Sequence, residues 1–154
     1  MTPLLALLIA AVQPPASAEP ALSVESGHFF SIDLRSEPPG IAEATRIPLR
    51  AETSCFGWLV QVAPRKGEVR VREELRLPTA SPSWPAEGEI RVHDDRAGAT
   101  KTFSDDLSDG MISSEWCIAA GDPIGRHHIQ VFVGDQLLRR FDFEVVPDPD
   151  DRSI

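Results

Sequence analysis

The sequence predicts an all-β domain, an antiparallel sandwich of about eight or nine short strands with one disulfide. Three observations carry that expectation. Apolar and polar residues alternate with period two along most of the chain, and helical periodicity is hard to find after the first 18 residues. Breaks rich in proline, serine and glycine separate the alternating runs, notably Ser36 to Gly40 and Pro78 to Gly88. Two cysteines, Cys55 and Cys117, are available to clamp the fold. A partly open β-barrel is the alternative architecture.

The strands read off in order. Leu22 to Glu25, His28 to Asp33 and Arg46 to Arg50 come first. From Cys55 to Val62, Phe56, Trp58, Val60 and Val62 share one face, which turns Cys55 away from the large aromatics. Either a bulge intervenes or the disulfide lies outside the main core. The clearest alternation runs from Gly67 to Pro78, with Val69, Val71, Leu75 and Leu77 against a charged face. Glu73 breaks that apolar row, which an edge position or a charged partner would explain. Glu89 to His93, Lys101 to Phe103 and Ile112 to Ile118 follow. The chain closes on a hairpin: His127, Ile129, Val131 and Val133 lead into Gly134-Asp135, a turn of type I′ or II′. Leu137, Phe141, Phe143 and Val145 return on one face, interrupted by Arg139.

The N-terminus points to export. Pro3 to Val12 is an apolar run, followed by two prolines and the small-residue box Ala16-Ser17-Ala18. Ten apolar residues are too few to span a bilayer, which takes roughly twenty. Residues 1–18 therefore read as a signal peptide cleaved between Ala18 and Glu19, with residues 19–147 as the β-sandwich domain and 148–154 as an acidic tail. No cysteine follows the apolar run, so no lipid anchor is expected and the product is periplasmic or secreted. An even cysteine count in an oxidising compartment favours the Cys55–Cys117 bond over a metal pair or a reactive thiol. Closing a loop of roughly sixty residues is worth about 4 kcal/mol by chain entropy. The formal charge of −9 repels phosphate backbones, so nucleic acid is excluded as an expected partner, and basic proteins are attracted.

The run Gly121-Asp122-Pro123-Ile124-Gly125-Arg126-His127-His128-Ile129-Gln130-Val131-Phe132-Val133 resembles the last hairpin of bacterial immunoglobulin-like domains. In those domains a Pro-x-Gly-x-Tyr-x-Ile pattern leads into the final strands. Here His127 stands at the tyrosine position, and the chain has no tyrosine. More loosely, Arg46-Ile47-Pro48-Leu49 with Cys55-Phe56-Gly57-Trp58 is similar to a bacterial envelope family known only as a domain of unknown function. The resemblance implies an immunoglobulin-like β-sandwich and brings no catalytic residues with it.

Candidate chemistry is sparse. Asp105, Asp106 and Asp109, ahead of Gly110, supply three carboxylates, whereas calcium takes six to eight oxygens; an acidic turn without metal is expected. His127 and His128 are adjacent, so a strand turns them to opposite faces and they cannot chelate together. Ser113 and Ser114 lie in no nucleophile elbow. No cofactor is expected. Trp58 belongs to a core strand, and Trp116 is expected to pack on the disulfide beside it. Trp84 stands in a proline-stiffened loop with Pro82 and Pro85, a rigid aromatic suited to anchoring a partner. The reading is thus a non-catalytic binding or adaptor module that contacts another envelope protein through an edge strand or the Trp84 loop. An acidic inhibitor or immunity protein against a basic enzyme such as a lysozyme is the alternative, and a hydrolase with a dispersed active site is the other. Chain recovered from the periplasm of an exporting host should begin at Glu19 by intact mass; a product retaining Met1 would refute export.

Overall fold

A computed structural model describes residues 20–85 and 88–151. The predicted signal peptide and its cleavage site lie outside the described residues. Ten strands form: β1 (Val24–Asp33), β2 (Gly40–Glu43), β3 (Arg46–Pro48), β4 (Ser54–Val62), β5 (Glu68–Arg76), β6 (Ile90–Val92), β7 (Gly98–Asp106), β8 (Met111–Cys117), β9 (Gly125–Val133) and β10 (Gln136–Val146). A three-residue 3-10 turn, Leu107–Asp109, joins β7 to β8. The strands build two facing sheets, one ordered β2-β1-β4-β8 and the other β3-β10-β9-β5-β7-β6. Among the described residues no helix is long and apolar enough to cross a membrane.

The immunoglobulin-like sandwich is therefore present, and its strand count differs from the expectation for local reasons. Leu22 to Glu25 and His28 to Asp33 join into β1, which bulges between Val24 and Ser26 and continues. The four residues of β2 are all exposed; no apolar face marks them in sequence, and they form by pairing with β1. One pairing, β3 on β10, is parallel. Between Leu137 and Arg139 a second bulge changes the face of β10. Leu138 thereby turns inward, Leu137 is left exposed, and Arg139 leaves the apolar row it was read as interrupting. Gly134 takes φ 56° while Asp135 keeps a negative φ, as a type II′ turn requires.

The two sheets meet over an aromatic layer. Phe29, Phe56 and Phe143 stack with centroids 4.6 to 6.0 Å apart, and Phe141 bridges Phe29 to Trp58. Inside this apolar space lies a carboxyl group. Glu73, fully buried, accepts the indole N–H of Trp58 at 2.8 Å and of Trp116 at 2.6 Å, both on Oε1. It is not at an edge: β5 runs between β9 and β7. Its cross-strand neighbour on β7 is the charged Lys101, but the groups that bond its carboxyl are two indoles from the facing sheet. A buried carboxyl needs such donors, because desolvation without them costs several kcal/mol.

The disulfide sits on the other face of the small sheet. Cys55 and Cys117 are register partners across β4 and β8 with Cα atoms 3.9 Å apart. Ile118 N–H reaches past them to Ser54 O, which makes theirs a non-hydrogen-bonded pair, the position where antiparallel strands come closest. Trp116, next in sequence, points the opposite way. It serves Glu73 rather than packing on the disulfide, because neighbours on a strand face opposite sides.

The start of the acidic tail is held, not free. Arg50 reaches Asp148 and Asp150 at 2.7 Å each, and Arg35 reaches Asp33 at 2.7 Å and Asp150 at 2.9 Å. The Arg35 guanidinium holds the Asp33 carboxyl down to about 2. Glu73→Ala should cost about 3 kcal/mol, since it strands two buried indole donors at roughly 1–3 kcal/mol each and opens space. Glu73→Gln, which keeps an acceptor, should cost about 1 kcal/mol. Urea unfolding of both checks this, and equal losses would mean the acceptor is unimportant.

Candidate functional site

A groove of about 1260 Å³ lies on the side where β8 ends one sheet and β6, paired with β7, ends the other. Trp84, Trp116, Ile90 and Phe103 line it, with the Lys101 ammonium 5.1 Å from the Trp116 ring centroid and 5.9 Å from that of Phe103. Trp84 is half-buried and meets Trp116 edge to face at 6.4 Å. Pro82 and Pro85 stand exposed on the rim.

The Trp84 loop is held by one backbone position. Arg96 adopts φ 55°, a left-handed conformation that a non-glycine residue enters only at a cost. That geometry aims its carbonyl at two donors, Ser81 N–H at 2.9 Å and the Trp84 indole N–H at 3.2 Å. Its guanidinium donates to Pro82 O at 2.8 Å. From the far side Ser81 Oγ donates to Asp122 at 2.6 Å, and Asp122 also takes Ala119 N–H. Trp84 is therefore both tucked against the core and fixed as a groove wall.

Lys101 links the groove to the core. Its ammonium donates to Ser114 Oγ at 2.8 Å and Glu115 O at 3.3 Å, and lies 5.1 Å from the Trp116 ring centroid. The Trp116 ring thus has a cation over its face and a carboxyl at its N–H. Such π and acceptor contacts satisfy an ammonium rather than free a base for Ser114. Period-two reading missed Lys101 because nothing in sequence pairs it with β8. Glu73 did leave a signal, the break in the apolar row of β5.

The three aspartates put forward for calcium act on the backbone instead. Asp106 Oδ1 accepts Ser108 N–H at 2.7 Å and caps the 3-10 turn, which holds its carboxyl below the usual range. Asp109 accepts Met111 N–H at 2.9 Å. Asp105 accepts the Asp106 N–H at 2.9 Å, while burial pushes its carboxyl up. Gly110 completes the turn at φ 71°, where a Cβ would lie 2.5 Å from Val62 O.

The histidines are dispersed. His28 pairs with Glu43 at 2.8 Å, and His93 lies 2.9 Å from Thr100 Oγ1. His127 is buried against Phe143, and its Nδ1–H donates to Gly125 O at 2.9 Å. The ring thus makes a bond two residues back along its own strand. Among the described residues no cluster of three or more His, Cys, Asp or Glu could hold a metal.

Fold and groove define the class: an immunoglobulin-like β-sandwich with an open lateral groove. The chain belongs to the PM0630 beta sandwich domain family, whose model matches residues 28–146. Among solved structures it is similar to an immunoglobulin-like protein from Pseudomonas aeruginosa, at 16% identity and TM-score 0.52, over 84% of this chain and 100% of that one. It also overlaps an alkylpurine DNA glycosylase from Pseudomonas fluorescens bound to DNA containing an abasic site analogue. That match has 16% identity and TM-score 0.42, over 80% of this chain and 30% of that one, a likeness too slight to carry an argument. No curated protein matches the chain.

Burial holds the His127 imidazole below its usual value, against the weaker pull of Gly125 O. The unfolded chain therefore takes up a proton near pH 6.5 that the native state resists, so stability falls as pH drops below about 6.5. Asp33 adds a second loss, from the ordinary carboxylate range down to about 2, where its native carboxylate protonates. Urea midpoints from pH 8 to 5 should decline in the wild type, and His127→Phe should flatten that slope. An unchanged slope would assign it elsewhere.

Proposed function

We propose that this domain is a non-catalytic binding module, exported to the periplasm, that contacts another envelope protein through the groove walled by Trp84, Pro82 and Pro85. The single observation that carries this reading is the fixing of Trp84. Its indole N–H is bound by Arg96 O, its ring lies against Trp116, and prolines flank it. A partner meeting a half-exposed aromatic that is already immobile loses little entropy on binding, the usual character of an interface anchor. Membership of a β-sandwich family and the immunoglobulin-like fold support an adaptor rather than an enzyme, though fold alone assigns no partner. The disulfide supports an oxidising compartment.

The charge of −9 favours a basic surface on the partner. That observation also suits an inhibitor of a basic enzyme. Inhibition of that enzyme's turnover by purified domain separates an inhibitor from an adaptor. Cross-linking capture from native periplasm should recover one specific partner, and Trp84→Ala should lower its yield about tenfold, the effect of losing an anchor worth over 1 kcal/mol. Undiminished capture by a variant with wild-type circular dichroism would remove Trp84 from the interface.

A further inference from the structure

We propose that the C-terminal half of β8 receives an extended, basic segment of a partner protein as an added strand. The inference rests on the binding-module reading and names the partner's chemistry.

β8 is one of the two outer strands of its sheet, at the end that borders the groove. Val62 N–H to Gly110 O and Ile118 N–H to Ser54 O set the ladder's phase. In that phase Ile112, Ser114 and Trp116 bond to β4, while the main-chain groups of Met111, Ser113, Glu115 and Cys117 face away. An uncovered edge of this kind is a template for another strand, and proteins blunt such edges with charged side chains. Here the blunting is confined to one half. Asp109 takes Met111 N–H at 2.9 Å, and the Asp105 carboxyl lies near Ser113 N–H. Glu115 N–H, Cys117 N–H and Cys117 C=O have no partner among the described residues. Glu115 C=O receives Lys101 at 3.3 Å, which leaves it a second lone pair. Three open groups therefore stand in register beside the groove, on a segment locked at its end by the Cys55–Cys117 bond.

The charges select the occupant. Glu115 and Glu52 line the groove and neither forms an ion pair among the described residues. Two cations also line the groove, and both are engaged: Lys101 by Ser114, Glu115 O and the Trp116 ring, and Arg96 by Pro82 O. Side chains of an added strand would alternate. One set would lie beside Glu115 on the outer face, where lysine or arginine is complemented. The other would face Trp116 and Trp84, where apolar groups fit. Free N–H groups would also attract a carboxylate, but Glu52 and Glu115 repel it.

The test uses a fluorescent, end-capped peptide of alternating lysine and valine, titrated into the mature protein by anisotropy, with amide exchange followed by NMR. Binding should slow exchange at Glu115 and Cys117 about tenfold or more. N-methylation of alternate peptide bonds, which removes strand donors, should weaken binding about tenfold. A glutamate–valine peptide should not bind. Glu115→Gln should weaken binding about threefold and reduce its salt dependence. Glu115→Pro removes an unpaired edge donor, which an edge strand tolerates, and should weaken binding further, about tenfold. Undiminished binding of the N-methylated peptide, no binding of the lysine–valine peptide, or unprotected amides at Glu115 and Cys117 would each overturn strand addition. The Trp84→Ala loss of partner capture would survive any of these results, so the two readings fail separately.

Discussion

The contact between Glu73 and the indoles of Trp58 and Trp116 is the constraint on which the rest of the sandwich depends. It is a hydrogen-bonded pin across an otherwise apolar interface. Hydrophobic packing alone is tolerant of small slides between sheets, whereas two N–H donors converging on one oxygen are not. The pin ties β4 and β8 of the four-stranded sheet to β5 of the six-stranded one, and one of its two indoles, Trp116, also lines the groove.

β8 carries a different task on each of its sides. Trp116 faces inward to the pin, Cys117 faces outward to the disulfide, and the free edge faces the groove. The period-two geometry of a strand makes this separation possible without competition among the three. Covalent and hydrogen-bonded fixation at Cys117 and Trp116 means the edge groups at Glu115 and Cys117 are held before anything meets them. Preorganisation of this kind lowers the entropy a partner must give up.

The Trp84 loop reaches the same groove by a different device. Arg96 holds a left-handed backbone so that one carbonyl gathers both a main-chain and an indole donor. Strain at such a position persists only where surrounding contacts determine it, and here the Asp122–Ser81 link and the Arg96–Pro82 bond supply them. The result is an aromatic wall with little freedom, set beside exposed carboxylates on a chain of charge −9. These features suit a partner with basic and apolar groups in alternation.

Much of the architecture was legible in the residues because it depends on local rules. Alternation on β4, β5 and β9 marked which side chains face the core, and an even count of two cysteines was enough to pair Cys55 with Cys117. Counting by two turned Cys55 away from the aromatics but left a bulge open, and the unbroken β4–β8 register is what places the bond outside the aromatic layer. The bulge that turns Leu138 inward was hidden, since one inserted residue leaves no compositional mark. Hidden too was the use of Asp105, Asp106 and Asp109 to satisfy backbone donors, which requires knowing where β8 begins. At the site, Trp84, Pro82 and Pro85 were visible as a stiff aromatic loop, while Lys101 and the open half of β8 were not. The sequence by itself determined the core faces of β4, β5 and β9, because each is set by neighbours along the chain, and the disulfide, because the chain has two cysteines. Only the tertiary structure decided the Glu73 pin and the groove, because both are made by residues on strands that meet across the two sheets.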